Sequence, residues 1–323
     1  MMKKNRLAPK IHIVDLIKQY SIVIVLVAMV VFFAIFARNF LSERNIFNIF
    51  LQASSYGIMA LGMTCLIVTG YFDLSAGVVM CFAANLAVGL QHLGMMPAIL
   101  IALGISAGIG CYNGVMITKV KINAFIVTLS TMLVVRGILY IFTGGDSLVS
   151  TIPAFGRIAA EKIGGMNYVS ILMFVLFAVF EVMMKRSRHG RNTYAVGGNV
   201  DAAFNAGIKT DRVKIINFSL TSFMAGVGGI IYASRMNGTS VTMGWPDGAL
   251  NIITCVVLGG TSLAGGRGGI LYTLGGVFAF TILRNGLNMM SMTGAINYIV
   301  TGAILIGIVL LDWLNLSGLQ RRA

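Results

Sequence analysis

Long stretches without any charged residue constrain this chain more than any other feature of its sequence. Residues 45–72 contain no Asp, Glu, Lys or Arg, and neither do residues 74–118. A single helix over the second stretch would be about 68 Å long, more than twice the ~30 Å apolar thickness of a bilayer. The second stretch therefore predicts two membrane spans, and Pro97, just after Gln91-His-Leu-Gly94, marks the turn between them.

The composition is that of a chain that faces lipid. Only 11% of the 323 residues are charged and 57% are hydrophobic, whereas soluble domains carry about 25% charged residues. Ten segments meet the requirement of about 17–25 mostly apolar residues for a span. We therefore expect an all-α, polytopic membrane protein with about ten transmembrane helices. The segments are 20–37, 49–70, 74–92, 96–118, 122–143, 167–184, 215–234, 248–263, 268–284 and 294–314.

The distribution of basic residues predicts the orientation in the membrane. The chain has 24 Lys and Arg and a net charge of +14, and most of the basic residues fall in loops that this scheme places on one side. The positive-inside rule then favours two cytoplasmic termini and an even number of spans. The resulting parts are a cytoplasmic segment at 1–19 with an amphipathic stretch, a transmembrane domain at 20–314 with a cytoplasmic loop at 185–214, and a cytoplasmic tail at 315–323.

Other classes of function lack their signals in this sequence. The basic residues form no aromatic–basic stripe, so nucleic acid is not expected as a partner. The four cysteines show no metal-ligand spacing and are interpreted as apolar packing residues, so no metal or cofactor is expected. The basic start resembles a signal peptide, but a missing small-residue cleavage site favours a retained first helix. His12, His92 and His189 fall in predicted loops or the tail, and no catalytic site is expected.

The cytoplasmic loop encodes a short helix with both ends marked. Asn199 is a suitable N-cap, and Asp201 places a carboxylate in the first turn, where the helix dipole favours it. The alanines that follow favour a helix, and Gly207 suits the position after the C-cap. We interpret Gly197-Gly198 as a sharp turn before the cap. The pattern predicts a two-turn helix on the cytoplasmic face, with a merely solvated connector as the alternative.

This loop resembles the cytoplasmic loop of monosaccharide ABC-transporter permeases, the importers of the ribose, arabinose, xylose and galactose type. The resemblance rests on Gly190-Arg-Asn-Thr-Tyr-Ala-Val-Gly-Gly-Asn199, followed by Asp201-Ala-Ala and Gly207-Ile208. Further motifs extend it, in the same order, along nearly the whole chain. They are Phe72-Asp-Leu-Ser75, Lys121-Ile-Asn-Ala124, Thr128-Leu-Ser-Thr-Met132, Arg136-Gly137, Val257-Leu-Gly-Gly-Thr-Ser262, Gly265-Gly-Arg-Gly268 and Leu311-Asp312.

The resemblance implies a coupling helix that sits in a cleft of a separate ATPase subunit. It also implies a periplasmic sugar-binding protein, a second permease subunit (the same or a related chain), a monosaccharide substrate and a bacterial inner-membrane location among lipids. Residues 265–269 lack the Lys-Ser/Thr of a P-loop, so the nucleotide site is expected in another chain. The residues implied at the ATPase contact are Arg191, Tyr194, Gly197, Gly198, Asn199, Asp201, Ala202, Ala203 and Gly207.

The chain departs from the pattern of that family in two places. After the alanines of the coupling helix the family usually continues Arg-Leu-Ser-Gly, whereas this chain has Phe204-Asn-Ala-Gly207. Before the eighth span the family commonly has Glu-Leu-Asp, whereas this chain has Ala249-Leu-Asn251. The first departure is expected to alter the ATPase contact, and the second the outer contact to the binding protein or a gate.

Polar residues within the apolar spans are candidates for the translocation pathway. Asp73 is the one acidic residue close to the membrane interior, where acids are usually functional or paired, although a cap at the start of the third span is favoured. The alternative function is a stand-alone secondary transporter or channel, but a proton-coupled carrier should show several such carboxylates. Helix–helix hydrogen bonding is the alternative role for any single residue. The candidates are Asp73, Asn85, Asn113, Ser130, Thr131, Phe218 and Ser222.

Overall fold

The computed structural model describes residues 21–320, most of which are helical. The predicted segment 1–19 and the final residues of the predicted tail lie outside the described residues. The helices are α1 Ser21–Phe36, α2 Glu43–Val68, α3 Ala76–Gly89, α4 Met95–Thr118, α5 Ala124–Thr143, α6 Pro153–Ala160, α7 Tyr168–Arg186, α8 Arg188–Gly198, α9 Val200–Asn205, α10 Thr210–Met236, α11 Gly248–Leu258, α12 Ile270–Met289 and α13 Gly294–Gln320. The strands are β1 Leu148–Val149, β2 Lys162–Ile163, β3 Met166–Asn167 and β4 Gly238–Thr239.

Each of the ten predicted segments contains an apolar helix. Within the described range, α2, α4, α5, α7, α10 and α12 are long and apolar enough to cross a membrane. Shorter apolar stretches in α1, α3, α11 and α13 account for the other four segments. The prediction of an all-α, polytopic membrane protein is therefore confirmed. The exact number of spans and the side of the two termini stay predictions.

Helix bounds differ from the predicted spans where polar turns extend an apolar helix. The second predicted span begins at residue 49, but α2 begins at Glu43, because Ser42 caps it by accepting the backbone N–H of Asn45 at 3.4 Å. In the same way α10 begins at Thr210, inside the predicted loop 185–214. Hydropathy marks where a helix enters lipid, and caps mark where the helix begins.

The centre of the bundle is α10, which packs against α2, α3 and α4. Small residues let these helices approach closely. A methyl group added at Gly62 of α2 would lie 2.6 Å from the Cα of Thr221, and one added at Gly110 of α4 would overlap the carbonyl oxygen of Phe218. The Thr221 hydroxyl donates to the carbonyl of Gly62 at 3.0 Å. Side-chain and backbone contacts therefore hold α10 closely against α2 and α4.

The two ends of α10 define the two ends of the molecule. Its start adjoins residues 187–209, and we name that side the coupling end. Its finish adjoins β4, which pairs with β1, and we name that side the distal end. The segment after α5 folds onto the distal end, where Phe155 of α6 is fully buried. The hydroxyl of Ser234 on α10 donates to the carbonyl of Phe155 at 2.6 Å and accepts the backbone N–H of Ala159 at 3.0 Å.

Candidate functional site

The loop at 185–214, which we call the coupling loop after the coupling helix that the resemblance implies, contains the short helix that its sequence predicts. The side chain of Asn199 accepts the backbone N–H of Ala202 at 2.9 Å, which makes Asn199 the N-cap of α9. Gly207 adopts a positive φ of 79° after the helix. The backbone N–H of Ile208 then donates to the carbonyl of Ala203 at 3.0 Å, which closes the C-terminal turn. Both predicted caps of α9 are therefore confirmed.

Gly197 and Gly198 do not form the predicted turn, because they are the last two residues of α8. The small size of Gly197 allows a close approach between three segments. A methyl group added at Gly197 would overlap the carbonyl oxygen of Val68, at the end of α2. That carbonyl accepts the backbone N–H of Gly266 at 2.9 Å. The end of α2, the end of α8 and the loop before α12 therefore meet backbone to backbone.

Side chains of α8 extend this junction. The hydroxyl of Tyr194 donates to the carbonyl of Gly268 at 2.9 Å, and partial burial raises the pKa of this hydroxyl above its usual value. His189, which was predicted in a loop, lies within α8, and its Nε2 is 2.8 Å from Oδ1 of Asn217 on α10. The Asn217 amide donates to the Cys65 carbonyl of α2 at 3.3 Å. The loop is thus tied to both central helices.

The residues implied at the ATPase contact divide into two sets. Tyr194 and Gly197 face their own chain, and Ala203 is buried in a small cluster with Val196 and Val213. Ala203 is therefore a packing residue on the inner side of α9, which corrects its assignment to a contact surface. The residues on the exposed side are Arg191, Gly198, Asn199, Asp201, Ala202 and Gly207.

One exposed residue of this loop was not among the ATPase-contact residues predicted from the sequence. Phe204 of α9 is 68% exposed, although it is a large aromatic side chain in a well-capped helix. It borders a groove of about 550 Å³ together with Lys119, Lys209 and Asp211. Lys119 and Asp211 form an ion pair at 2.8 Å beside it. The available signal was the departure at position 204, where the resemblance leads one to expect a basic residue.

Four of the pathway candidates form one buried polar network. Oδ1 of Asp73 accepts the backbone N–H and the hydroxyl of Ser75, at 2.8 and 2.6 Å. Its Oδ2 accepts from the Asn113 amide at 3.4 Å and from the Ser222 hydroxyl at 3.3 Å. Thr131 in turn donates to Asn113 at 2.7 Å. The network joins α4, α5 and α10 at the start of α3, and within the described residues no basic side chain pairs with Asp73.

The favoured capping role of Asp73 holds in a modified form. The carboxylate accepts the N–H of Ser75, the residue that precedes α3, whereas the prediction placed the cap on the third span itself. Each oxygen of this fully buried carboxyl group has two hydrogen-bond partners, which offset the loss of contact with water. The Asp73 side chain therefore links several helices and also closes the turn before α3.

The remaining candidates lie apart from this network. Asn85 of α3 accepts the Thr239 hydroxyl at 2.5 Å, at the distal end. Phe218 is fully buried, with its ring 6.2 Å from that of Tyr71. Ser130 is exposed on α5 and borders an apolar groove. A pathway role for all of the candidates stays a prediction. No metal-binding group of three His, Cys, Asp or Glu occurs among residues 21–320 as described.

Comparison with known proteins decides the family. The family model described as "Branched-chain amino acid transport system / permease component" matches residues 45–309, which include both the polar network and the coupling loop. The chain belongs to this permease family. Membership makes it a transport component and not an enzyme, which confirms the expectation from the sequence.

Relatives of nearly full length confirm the resemblance to sugar permeases. The chain is 36% identical to the ribose import permease protein RbsC of Bacillus subtilis (strain 168), over 94% of this chain and 95% of the relative. It is 34% identical to RbsC of Escherichia coli (strain K12), over 92% and 94%. It is 35% identical to the L-arabinose transport system permease protein AraH of Escherichia coli (strain K12), over 91% and 90%. No solved structure matches the chain.

Proposed function

We propose that this permease carries a monosaccharide inward across the bacterial cytoplasmic membrane, driven by ATP that a separate subunit hydrolyses. The full-length relatives named for ribose and arabinose import support a sugar, although the broader family description names branched-chain amino acids. The observation that carries the proposal is α9, an exposed helix with both ends capped and a tight connection to the bundle. A helix of this kind suits a contact with a moving partner.

The connections of the coupling loop suggest how movement would reach the pathway. The loop packs against α2 where Gly197 meets the carbonyl of Val68. It contacts α10 where His189 meets Asn217, and Asn217 in turn donates to the carbonyl of Cys65 on α2. The polar network around Asp73 lies between the turn after α2 and Ser222 of α10. A displacement of α9 by the ATPase pair would therefore shift α10 and the turn after α2, which carry Ser222 and Asp73 of this network. We assign Asp73, Asn113, Thr131 and Ser222 to the region that rearranges as the cavity changes its opening.

The exposed surface of α9 fits an ATPase subunit as partner. Phe204 presents an aromatic side chain to the surroundings, and buried aromatic anchors supply much of the energy of protein interfaces. The Lys119–Asp211 ion pair and Lys209 border the same groove and would form a polar rim. We therefore assign Phe204 as the anchor of the ATPase contact.

The apolar face of α4 and α5 fits a second permease subunit. The groove between these helices holds about 580 Å³, and its lining is apolar except for a few polar groups, among them the hydroxyls of Ser130 and Thr131. A hydroxyl that faces lipid has no external partner, whereas a facing subunit can enclose a polar passage. We place half of the pathway here, completed by the same or a related chain, and the sugar-binding protein at the distal end.

The experiment that tests this function is an affinity purification of the tagged permease from its own cells in mild detergent. We expect a P-loop ATPase to co-purify at comparable abundance and to be lost with Gly207→Leu, because a φ of 79° favours glycine. Asp201→Lys should weaken the same contact. Gly104→Ala is the matched control, since open space surrounds that position in α4.

One result would support the alternative of a stand-alone secondary transporter. In that case the permease would purify alone, and uptake by vesicles would follow an imposed proton or sodium gradient. The coupling assignment would then be wrong, and the buried carboxylate of Asp73 would become the candidate ion site.

A further inference from the structure

A second polar region lies at the distal end, away from the coupling loop. A cleft of about 610 Å³ is bordered by α2, α3, α11, α12 and the loop that follows α10, and this size is typical of small-molecule sites, which span ~300–1,000 Å³. A smaller polar cavity of about 190 Å³ shares three of its lining residues. We name the combined space the distal cleft. It is lined by Tyr56, Tyr232, Trp245, Asp247, Asn251 and Arg284, among others.

The larger part of the distal cleft contains one acidic and one basic side chain that do not pair with each other, and a second basic residue, Arg235, lines its smaller part. No ion pair between Asp247 and Arg284 occurs in the described part of the chain. Oδ2 of Asp247 accepts from the Asn251 amide at 2.8 Å, and Nη1 of Arg284 donates to the Tyr56 hydroxyl at 3.1 Å. The second carboxylate oxygen and the other guanidinium N–H groups keep bonding capacity. Because the charges of Asp247 and Arg284 cancel, the larger part of the distal cleft matches a neutral ligand better than an ion.

Two buried oxygens at the distal cleft have no hydrogen-bond partner among the described residues. They are Oδ1 of Asn251 and Oγ1 of Thr281, whose side chains are 3% and 2% exposed. An unmade hydrogen bond on a buried group costs about 1–3 kcal/mol, and native proteins keep few of them. A ligand hydroxyl, or a water that accompanies it, would supply the missing partners after a small adjustment of the lining.

Aromatic rings provide the other half of the lining. Tyr56, Tyr232 and Trp245 are partly exposed, and Tyr298 is 56% exposed. The guanidinium of Arg136 lies 3.9 Å from the centroid of the Trp245 ring, which holds the ring in place. The electron-rich face of an aromatic ring attracts the weakly positive C–H groups of a saturated ring. Rings combined with donors and acceptors match a ligand that is apolar on its faces and hydroxylated at its edge.

We infer that the distal cleft binds one neutral monosaccharide within a single permease subunit, with Asp247 and Arg284 as residues that determine specificity. The inference rests on the proposed function for its substrate class. Asp247 accepts from one sugar hydroxyl, Arg284 donates to a neighbouring one, and the sugar ring packs on Trp245. The distal cleft is then a binding site before the central pathway, on the side opposite the coupling loop.

The test uses the full-length permease in detergent with Trp313→Phe, which leaves Trp245 as the single tryptophan. Fluorescence is followed during titration with D-ribose, L-arabinose, D-xylose and D-galactose. We expect a saturable change with at least one sugar. The apparent Kd should rise at least tenfold in Asp247→Asn and in Arg284→Gln. Glu161→Gln, an exposed acid at the same end of the molecule, should leave the Kd unchanged.

Several outcomes would overturn the assignment of the distal cleft. One is the absence of a fluorescence change with any of the four sugars. Another is an unaltered apparent Kd in an Asp247→Asn variant that elutes as a single species and retains its ATPase. A response to glucuronate or an acidic peptide, but to no neutral sugar, would assign the distal cleft to an acidic partner.

Uptake measurements separate a failure of this inference from a failure of the proposed function. Sugar uptake driven by ATP is measured for the parent complex and for Asp247→Asn. An unchanged KM in the variant, with normal uptake by the parent, removes the distal-cleft assignment alone. Absence of ATP-driven sugar uptake by the parent removes the proposed function itself.

Discussion

The coupling end and the distal end of this permease differ in how far their polar groups are paired with one another. At the coupling end, backbone groups of three segments pair across Val68, Gly197 and Gly266, with almost no space between them. At the distal end, two charges in one cleft are not paired with each other, and two buried oxygens lack partners among the described residues. The contrast matches the two roles that we propose: tight packing suits the transmission of force, and unused bonding capacity suits the binding of a ligand.

The largest effect should come from filling the junction at the coupling end. Gly197→Leu would drive a side chain into the carbonyl of Val68, so the end of α8 must separate from α2. We expect loss of nearly all ATP-driven uptake and a destabilisation of about 1–3 kcal/mol. Gly104→Ala, in α4 with open space around it, is the control and should behave as the parent. Equal uptake by both variants would show that the junction transmits nothing.

A smaller effect is expected from the exposed side of the coupling end. Phe204→Ala removes the proposed ATPase anchor, and burial of such a side chain contributes about 1.5–3 kcal/mol. Co-purification of the ATPase should weaken roughly tenfold to a hundredfold, while the melting temperature of the permease alone should not change, because Phe204 is exposed. Phe204→Leu should retain most of the binding. A loss of permease stability with intact ATPase binding would contradict the assignment.

The cap of α9 offers a graded change within the same region. Asn199→Ala removes the acceptor for the Ala202 N–H, which costs about 1 kcal/mol of helix stability. We expect faster hydrogen exchange at Ala202 and its neighbours and a few-fold lower uptake. Asn199→Asp keeps an acceptor and should restore both. If hydrogen exchange becomes faster in Asn199→Ala while uptake stays at the parent level, the stability of the α9 helix does not limit ATP-driven uptake.

The smallest effect is expected on thermal stability, and it should differ in direction between two threonines of α12. On α12, Thr273 is bonded to Thr64 at 2.8 Å, whereas Oγ1 of Thr281 has no partner in the described part. Thr273→Val should lower thermal stability by about 1 kcal/mol, and Thr281→Val should be neutral or slightly stabilising. Thermal unfolding in detergent without sugar measures both. A clear loss of stability in Thr281→Val would mean that its hydroxyl is satisfied.

Local signals predicted the fold better than they predicted the sites. Apolar stretches of sufficient length located all ten apolar helices, because the apolar core of a membrane demands them. The caps at Asn199 and Gly207 could be recognised because each depends on residues only a few positions away. In contrast, Gly197 and Gly198 were predicted as a turn, because glycine has a low helix propensity, and they instead end α8. Contacts with α2 and α10 override that propensity.

The candidate sites depend on contacts between residues far apart in the chain. Asp73 and Ser222 were separate candidates, and only the packing of α10 brings them to 3.3 Å. The distal cleft was not predicted at all, because α2, α11 and α12 contribute to it one or two residues each. Ala203 was assigned to the wrong side of α9, since alanine favours helix on either face.

ATP-driven uptake by vesicles tests the central claim most directly. The permease is reconstituted in proteoliposomes with its co-purified ATPase and binding protein, and labelled monosaccharide is followed with ATP, with a non-hydrolysable analogue, or with an imposed proton or sodium gradient. We predict accumulation with ATP alone, and none with the analogue or with either gradient. Accumulation driven by a gradient without ATP would contradict the account and would make Asp73 the centre of a different mechanism.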